Sequence, residues 1–257
     1  MHKPTPGVIA SLVLSMFAVL LSGLAFLAVT GVLDAGKPIS RDFELQAREY
    51  LLQNPQIVVE ALQRLEQRKL AAETNELQTL VAERSDEIFS DPEAPVGGNP
   101  NGDVTLVEFF DYNCPYCRKA APILQQAVDE DRDLKLVYKE WPILSPGSEF
   151  AARAALAAHK QGQYGAFHQA LMGFPGRISE SSTLTIAGDV GLDVEQLKRD
   201  MQDPAIANAI ERNRTLANDL RITGTPTFVV GDEIVRGLVD LATLQRFIAD
   251  ARDKPED

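Results

Sequence analysis

Cysteine is scarce in this chain: 257 residues hold two, Cys114 and Cys117. With no third cysteine, each has only the other to pair with. Histidine is also sparse, limited to His2, His159 and His168. A four-ligand zinc site built on the two thiols needs two further ligands, and His159 and His168 are nine residues apart, no spacing for one helix face. No metal site is expected. Positive charge is in deficit, with 25 Lys and Arg against 37 Asp and Glu, a net charge of −12. Without a basic stripe to neutralise phosphates, nucleic acid is excluded as a partner. The acid excess reads more simply as a solubility feature. There is no nucleophile elbow, no Gly-rich phosphate loop and no internal repeat, so hydrolase and kinase readings lack their residues. What is present is 45% apolar and 24% charged, the composition of a globular chain that can form a core.

The two cysteines sit together as Cys114-Pro115-Tyr116-Cys117. Before them, Val104-Thr105-Leu106-Val107-Glu108-Phe109-Phe110 reads as a buried strand; after them, Arg118 to Val128 reads as a helix. Cys114 therefore falls in the turn at a helix N-terminus. Unpaired backbone N–H groups and the positive end of the helix dipole favour a thiolate there. Such settings lower a cysteine pKa from about 8.5 to roughly 3.5–7. A purely structural disulfide would need no strand-then-helix context. Paired soft thiolates also suit Cu(I), so a copper-binding role is the alternative function. A scaffold with incidental cysteines is the third.

Thr223-Gly224-Thr225-Pro226-Thr227-Phe228-Val229-Val230 places a proline at the entry to an apolar strand, where a missing N–H is tolerated or a cis turn is used. Together with the C-x-x-C at a strand–helix junction, this resembles the DsbA-like thiol oxidoreductases of the thioredoxin superfamily. The resemblance implies that Pro226 is the cis-proline beside the cysteines. It implies too that the Thr225 backbone pairs with a bound substrate peptide, with Pro115 and Tyr116 at the same face. Thr225 before the proline is shared with isomerase-type relatives, which leans the direction toward isomerase or reductase.

Glu108 lies six residues before Cys114 in an apolar strand. It is either an edge carboxylate facing solvent or a buried acid whose raised pKa lets it exchange a proton with Cys117. The family carries an acid at this place. Lys139 and Glu140, ending the next strand, either add charge near the site or are simply solvated. The expected catalytic set is Cys114 as nucleophile, Cys117 as resolving thiol, Glu108 and Pro226. Thiolate attack through a mixed disulfide needs no metal and no organic cofactor.

Val8 to Leu33 carries no charge. At ~1.5 Å per residue it spans roughly 39 Å, enough for a bilayer core of ~30 Å. A cleaved signal peptide has a shorter apolar region, about 7–15 residues, and a small-x-small site, neither of which is seen. Lys3 precedes the segment and Lys37 and Arg41 follow it, so charge decides little. The short tail and the redox chemistry favour a cytoplasmic N-terminus. The expected location is the bacterial inner membrane, single-pass, with the redox domain in the periplasm.

Arg41 to Phe89 is rich in helix formers, broken at Asn54-Pro55, with a second helix expected from Pro55 to about Phe89. Its apolar stripe either packs on its own domain or serves as an oligomerisation stalk. Arg48 to Ile57, continuing into Glu60-Ala61-Leu62, is similar to the N-terminal segment of ScsC-type suppressor-of-copper-sensitivity proteins, some of which oligomerise through it.

The expected fold class is α/β: a thioredoxin-like fold with a large helical insertion, preceded by a helical stalk and a single N-terminal transmembrane helix. The expected parts are a cytoplasmic tail (1–7), the anchor (8–33), the stalk (34–90), a linker (91–103), the redox domain (104–252, insertion about 148–220) and a tail (253–257). The expected partners are cysteine-containing exported proteins, a membrane redox protein that recycles the site, the membrane through residues 8–33, and further copies of the chain.

Overall fold

The computed structural model describes residues 40–254. The expected anchor at 8–33 and the tail at 1–7 lie outside the described residues. Among the described residues, no helix is long and apolar enough to cross a membrane. The chain divides after Arg68 into two compact units.

The first unit holds α1 (Arg41–Gln53) and the start of α2 (Gln56–Glu83). Ser40 caps α1 by accepting from the Phe43 N–H, and Asp42 and Glu44 place negative charge in its first turn. The Asn54-Pro55 break is present, and Asn54 ends α1. Phe43, Tyr50, Leu52, Val59, Leu62 and Leu65 are exposed.

In the second unit α2 stops at Glu83 rather than running on to Phe89. A short α3 (Ser85–Phe89) starts after Arg84, whose ψ of 15° departs from the helix. The stretch expected as a structureless linker contains β1 (Val96–Gly98). Its Gly and Pro content hid a three-residue edge strand. Then follow β2 (Val104–Phe110), α4 (Pro115–Glu130), β3 (Leu134–Glu140), α5 (Pro146–Lys160), α6 (Tyr164–Gly173), α7 (Glu180–Asp189), α8 (Val194–Asp200), α9 (Pro204–Asp219), β4 (Thr227–Val230), β5 (Glu233–Arg236) and α10 (Leu241–Asp253).

The sheet runs in the order β1-β3-β2-β4-β5. β2 and β3 are parallel, joined through α4, and the other pairings are antiparallel. β4 and β5 form a hairpin over Gly231-Asp232, where Gly231 takes φ +56°. Side chains alternate along β2. Leu106 packs with Leu124 of α4 and Leu244 of α10, while Val107 and Phe109 pack with Leu216 and Leu220 on the other face. Each fully buried Leu or Phe contributes about 1.5–3 kcal/mol. The insertion, α5 to α9, builds its own core around Phe167, Leu171 and the alanines of α5, and Phe110, Tyr112, Cys114 and Cys117 join that core.

Candidate active site

β4 runs antiparallel to β2 with Glu108 opposite Phe228 and Phe109 opposite Thr227. The start of β4 therefore lies beside the end of β2. The loop before β4 and the turn after β2 meet there, although they are 111 residues apart in the chain. The Thr225-Pro226 bond is cis. The Cys114 thiol donates to the Thr225 carbonyl oxygen at 3.2 Å.

Cys114 occupies the N-cap position of α4, with Pro115 at the first helical position. Both cysteines are buried and no disulfide joins them in this structure. The Cys114 pKa falls from 9.0 to about 5. The Cys117 thiol donating to its sulfur is the main cause, and the Thr225 side chain and the N–H groups of Cys117 and Tyr116 add to it against the opposing effect of burial. Cys117 is fully buried. Burial first, then its hydrogen bond to Cys114 and the charge of Glu108, push its thiol far up. One sulfur is poised as a thiolate and the other held as a thiol.

Glu108 is not an edge carboxylate. It lies in the middle of the sheet, is 1% exposed, and neither carboxyl oxygen has a hydrogen-bond partner among the described residues. Desolvation, then the Cys114 charge, raise its pKa from 4.5 to about 8. On β2 it shares a face with Leu106 and Phe110, the side covered by α4.

The sequence profile of the DSBA-like thioredoxin domain matches residues 105–249, more than half of the chain. The chain belongs to that family. A second profile, the copper resistance protein ScsC N-terminal domain, matches residues 41–72. A thioredoxin-like oxidoreductase from Silicibacter pomeroyi is 55% identical, with a TM-score of 0.65 over 66% of this chain and 98% of that one. Proteus mirabilis ScsC in a transitional conformation is 28% identical, with a TM-score of 0.63 over 85% of this chain and 98% of that one. Among curated relatives, disulfide bond formation protein D of Bacillus subtilis is 27% identical over 60% of this chain and 75% of its own length. A sodium/proton antiporter NhaA of Salinispora tropica is 28% identical over 63% of this chain and 26% of the antiporter. The chain thus spans about a quarter of the length of the antiporters it matches.

In this DsbA-like domain, three residues that sequence reading passed over clamp the active-site turn. Asp111, buried, takes hydrogen bonds on one oxygen from the Asn113 N–H and the Ser148 hydroxyl, both at 2.7 Å. Its other oxygen takes the N–H groups of Ile143 at 2.8 Å and Leu144 at 3.0 Å. Asn113 exchanges bonds with the Ile178 backbone at 2.9 and 3.0 Å. Arg118 donates to the carbonyls of Tyr112, Phe174 and Gly176, each at 2.8 Å. All three flank the cysteines, but their partners lie up to 65 residues away, where no motif points.

Lys139 and Glu140 are both buried, not solvated. They are neighbours on a strand, so they face opposite sides. Lys139 pairs with Asp91 at 2.7 Å on the face away from Glu108. Glu140 accepts from the Tyr112 and Tyr164 hydroxyls at 2.8 and 2.9 Å. His168 is buried beside them, 3.1 Å from the Tyr112 hydroxyl, and its ring stacks on Tyr164. Pro115 and Tyr116 are exposed at the site, and Pro226 is buried behind Thr225.

Proposed function

We propose that this chain is an envelope thiol–disulfide exchange enzyme acting on cysteines of exported proteins. The observation that carries the reading is the meeting of Cys114 with the Thr225 carbonyl beside a cis-proline, with Cys117 buried behind it. Cys114 attacks a substrate disulfide as the thiolate and forms a mixed disulfide. Cys117 then attacks the Cys114 sulfur and releases the substrate thiol. Glu108 takes the Cys117 proton for that step, being buried, unpartnered and of raised pKa. Pro115, Tyr116 and Thr225 form the substrate face.

A stabilised Cys114 thiolate raises the reduction potential and by itself suits an oxidase. Thr225 before Pro226 leans toward isomerase or reductase, and on that ground the direction we propose is isomerisation. Capture of Cu(I) has less support, because it needs both sulfurs and Cys117 is fully buried. Residues 8–33 anchor the chain in the inner membrane, with the domain in the periplasm and a membrane redox protein recycling the site. The exposed apolar side chains of α1 and α2 support self-association through that segment, which size measurement on Leu62→Glu and Leu65→Glu would check. The domain limits we propose are those read from the sequence, with the redox domain extended back to β1.

The test is refolding of a scrambled disulfide substrate. Cys114→Ala should abolish turnover, and Cys117→Ala should accumulate mixed disulfides. Unchanged turnover in Cys114→Ala would sink the reading.

A further inference from the structure

The chain carries a net charge of −12, yet apart from the buried Asp111 and Glu108 the segments that converge on Cys114 hold no acidic residue. Five segments meet there: 112–128, 141–148, 174–179, 220–231 and 234–239. Their convergence is fixed by hydrogen bonds. Ile143 and Leu144 bind Asp111, Ile178 binds Asn113, Phe174 and Gly176 bind Arg118, Thr225 binds Cys114, and the Gly237 N–H donates to the Pro226 carbonyl at 2.9 Å. Of the acids just outside, Asp111 and Glu140 are buried and hydrogen-bonded, Asp129 accepts from Gln125, Glu149 pairs with Arg214, Asp219 with Arg84 and Asp232 with Lys254, and Asp240 caps α10, while Glu233 enters no ion pair among the described residues. Glu180, in the first turn of α7, stands beyond the Ile178 anchor.

The same segments carry exposed cations. Lys119 sits one turn along α4, with its ammonium 5.8 Å from the centre of the exposed Tyr116 ring. Arg177 is exposed and adjoins Ile178. Arg236 is exposed too, but it lies on the sheet face away from α4, with its guanidinium donating to the Arg221 carbonyl at 3.4 Å. Among the described residues, none of the three enters an ion pair. An acidic protein therefore places two unpaired cations, Lys119 and Arg177, on the segments that hold its reactive sulfur.

We propose that the exchange site selects disulfides flanked by acidic groups. This rests on the exchange reading above and names its substrate class. Two charge effects act in one direction. The two cations offset the repulsion between the Cys114 thiolate and an anionic disulfide on approach, and they stabilise the thiolate that leaves. The Cys114 thiolate attacks one sulfur, the Cys114–substrate bond forms, and the substrate S–S bond breaks with its electron pair leaving on the second thiolate. Cys117 then loses its proton, bonds to Cys114 and expels the first sulfur as a thiolate. Two electrons pass from the protein dithiol to the disulfide.

The experiment measures oxidation of the reduced full chain, held in detergent, by three small disulfides. Oxidised glutathione is anionic, cystamine cationic and bis(2-hydroxyethyl) disulfide neutral. Each rate is divided by that of an uncharged dithiol with the same disulfide, which removes intrinsic reactivity. At ~0.1 M salt the screening length is about 10 Å, so the local cations act rather than the distant acid excess. The expected result is a normalised anionic-to-cationic ratio on the order of 10, shrinking toward 1 at ~1 M salt. K119E/R177E should reverse the preference, and the milder K119Q/R177Q should remove most of it. Both should leave the neutral rate within about twofold. Equal ratios, or a preference untouched in these variants, overturn the proposal. If the chain reacts with none of the three while the dithiol does, the exchange reading falls and takes this inference with it.

Discussion

Cys114 and Thr225 are joined across 111 residues by a hydrogen bond of 3.2 Å from the Cys114 thiol to the Thr225 carbonyl. That contact brings the reactive sulfur to the loop holding the cis peptide. It also sets the Thr225 side chain where it lowers the Cys114 pKa.

The first prediction concerns that pKa. Alkylation of Cys114 by iodoacetamide should be near its plateau at neutral pH and fall off around pH 5, following a folded value of about 5. Thr225→Val removes the hydroxyl and should move the midpoint upward. The folded value lies below the unfolded 9.0. The stabilisation of the reduced fold is therefore complete above the unfolded value and is lost as the pH falls through the folded one. An alkylation midpoint near pH 8 or above would refute the thiolate assignment.

Glu108 titrates with the opposite sign. Its folded pKa of about 8 lies above the ordinary 4.5. Its contribution to the reduced fold is complete below the lower value and is lost as the pH rises through the higher one. Glu108→Gln keeps the shape without the charge. It should make the reduced protein more stable above about pH 8, by a gain on the order of 3 kcal/mol, with little change at pH 4. It should also slow resolution of the mixed disulfide by about 10²-fold. Urea titrations across pH and single-turnover release from a preformed mixed disulfide check the two parts. A resolution rate equal to wild type would remove Glu108 from the proton path.

Asp111 is the hub of the active-site turn. Asp111→Asn turns one acceptor oxygen into a donor that faces hydrogen-bond donors. The expected cost is about 2–4 kcal/mol in urea unfolding, from lost charge-assisted bonds and unsatisfied N–H groups. A cost below about 0.5 kcal/mol would mean the clamp is not needed to hold the turn.

His168 is packed among Phe110, Tyr138 and Tyr164, and burial lowers its pKa from 6.5 to about 3. The unfolded chain gains a proton near pH 6.5 that the fold refuses. The stability tied to neutral His168 is therefore complete above 6.5 and is lost as the pH falls toward 3. His168→Phe preserves the ring and should flatten this slope, with less than about 1.5 kcal/mol lost at pH 7. Acid unfolding curves of the two proteins, superimposable in slope, would contradict the assignment.

Local chemistry was legible in the sequence wherever it was written in neighbouring residues. The strand at Val104–Phe110 and the helix after the cysteines follow from apolar pattern and turn chemistry. So does the turn at Gly231-Asp232. The joining of Cys114 with Thr225 was foreseen only through a family resemblance, since no spacing rule brings together residues 111 apart. β1 was missed because three residues of Val-Gly-Gly have no strand pattern until β3 supplies a partner. Lys139 and Glu140 looked alike as end-of-strand charges. Strand alternation sends them to opposite faces, one to Asp91 and the other to two tyrosines.

By itself, the sequence determined that two thiols share one turn at a helix start and that an apolar strand with an acid precedes them. These properties depend on neighbours along the chain. Tertiary structure alone decided that Glu108 is buried without a hydrogen-bond partner among the described residues, and that Asp111, Asn113 and Arg118 tie the turn to the insertion. Burial, hydrogen-bond partnership and local charge are set by residues tens of positions away, brought close only when the sheet pairs and the helices pack.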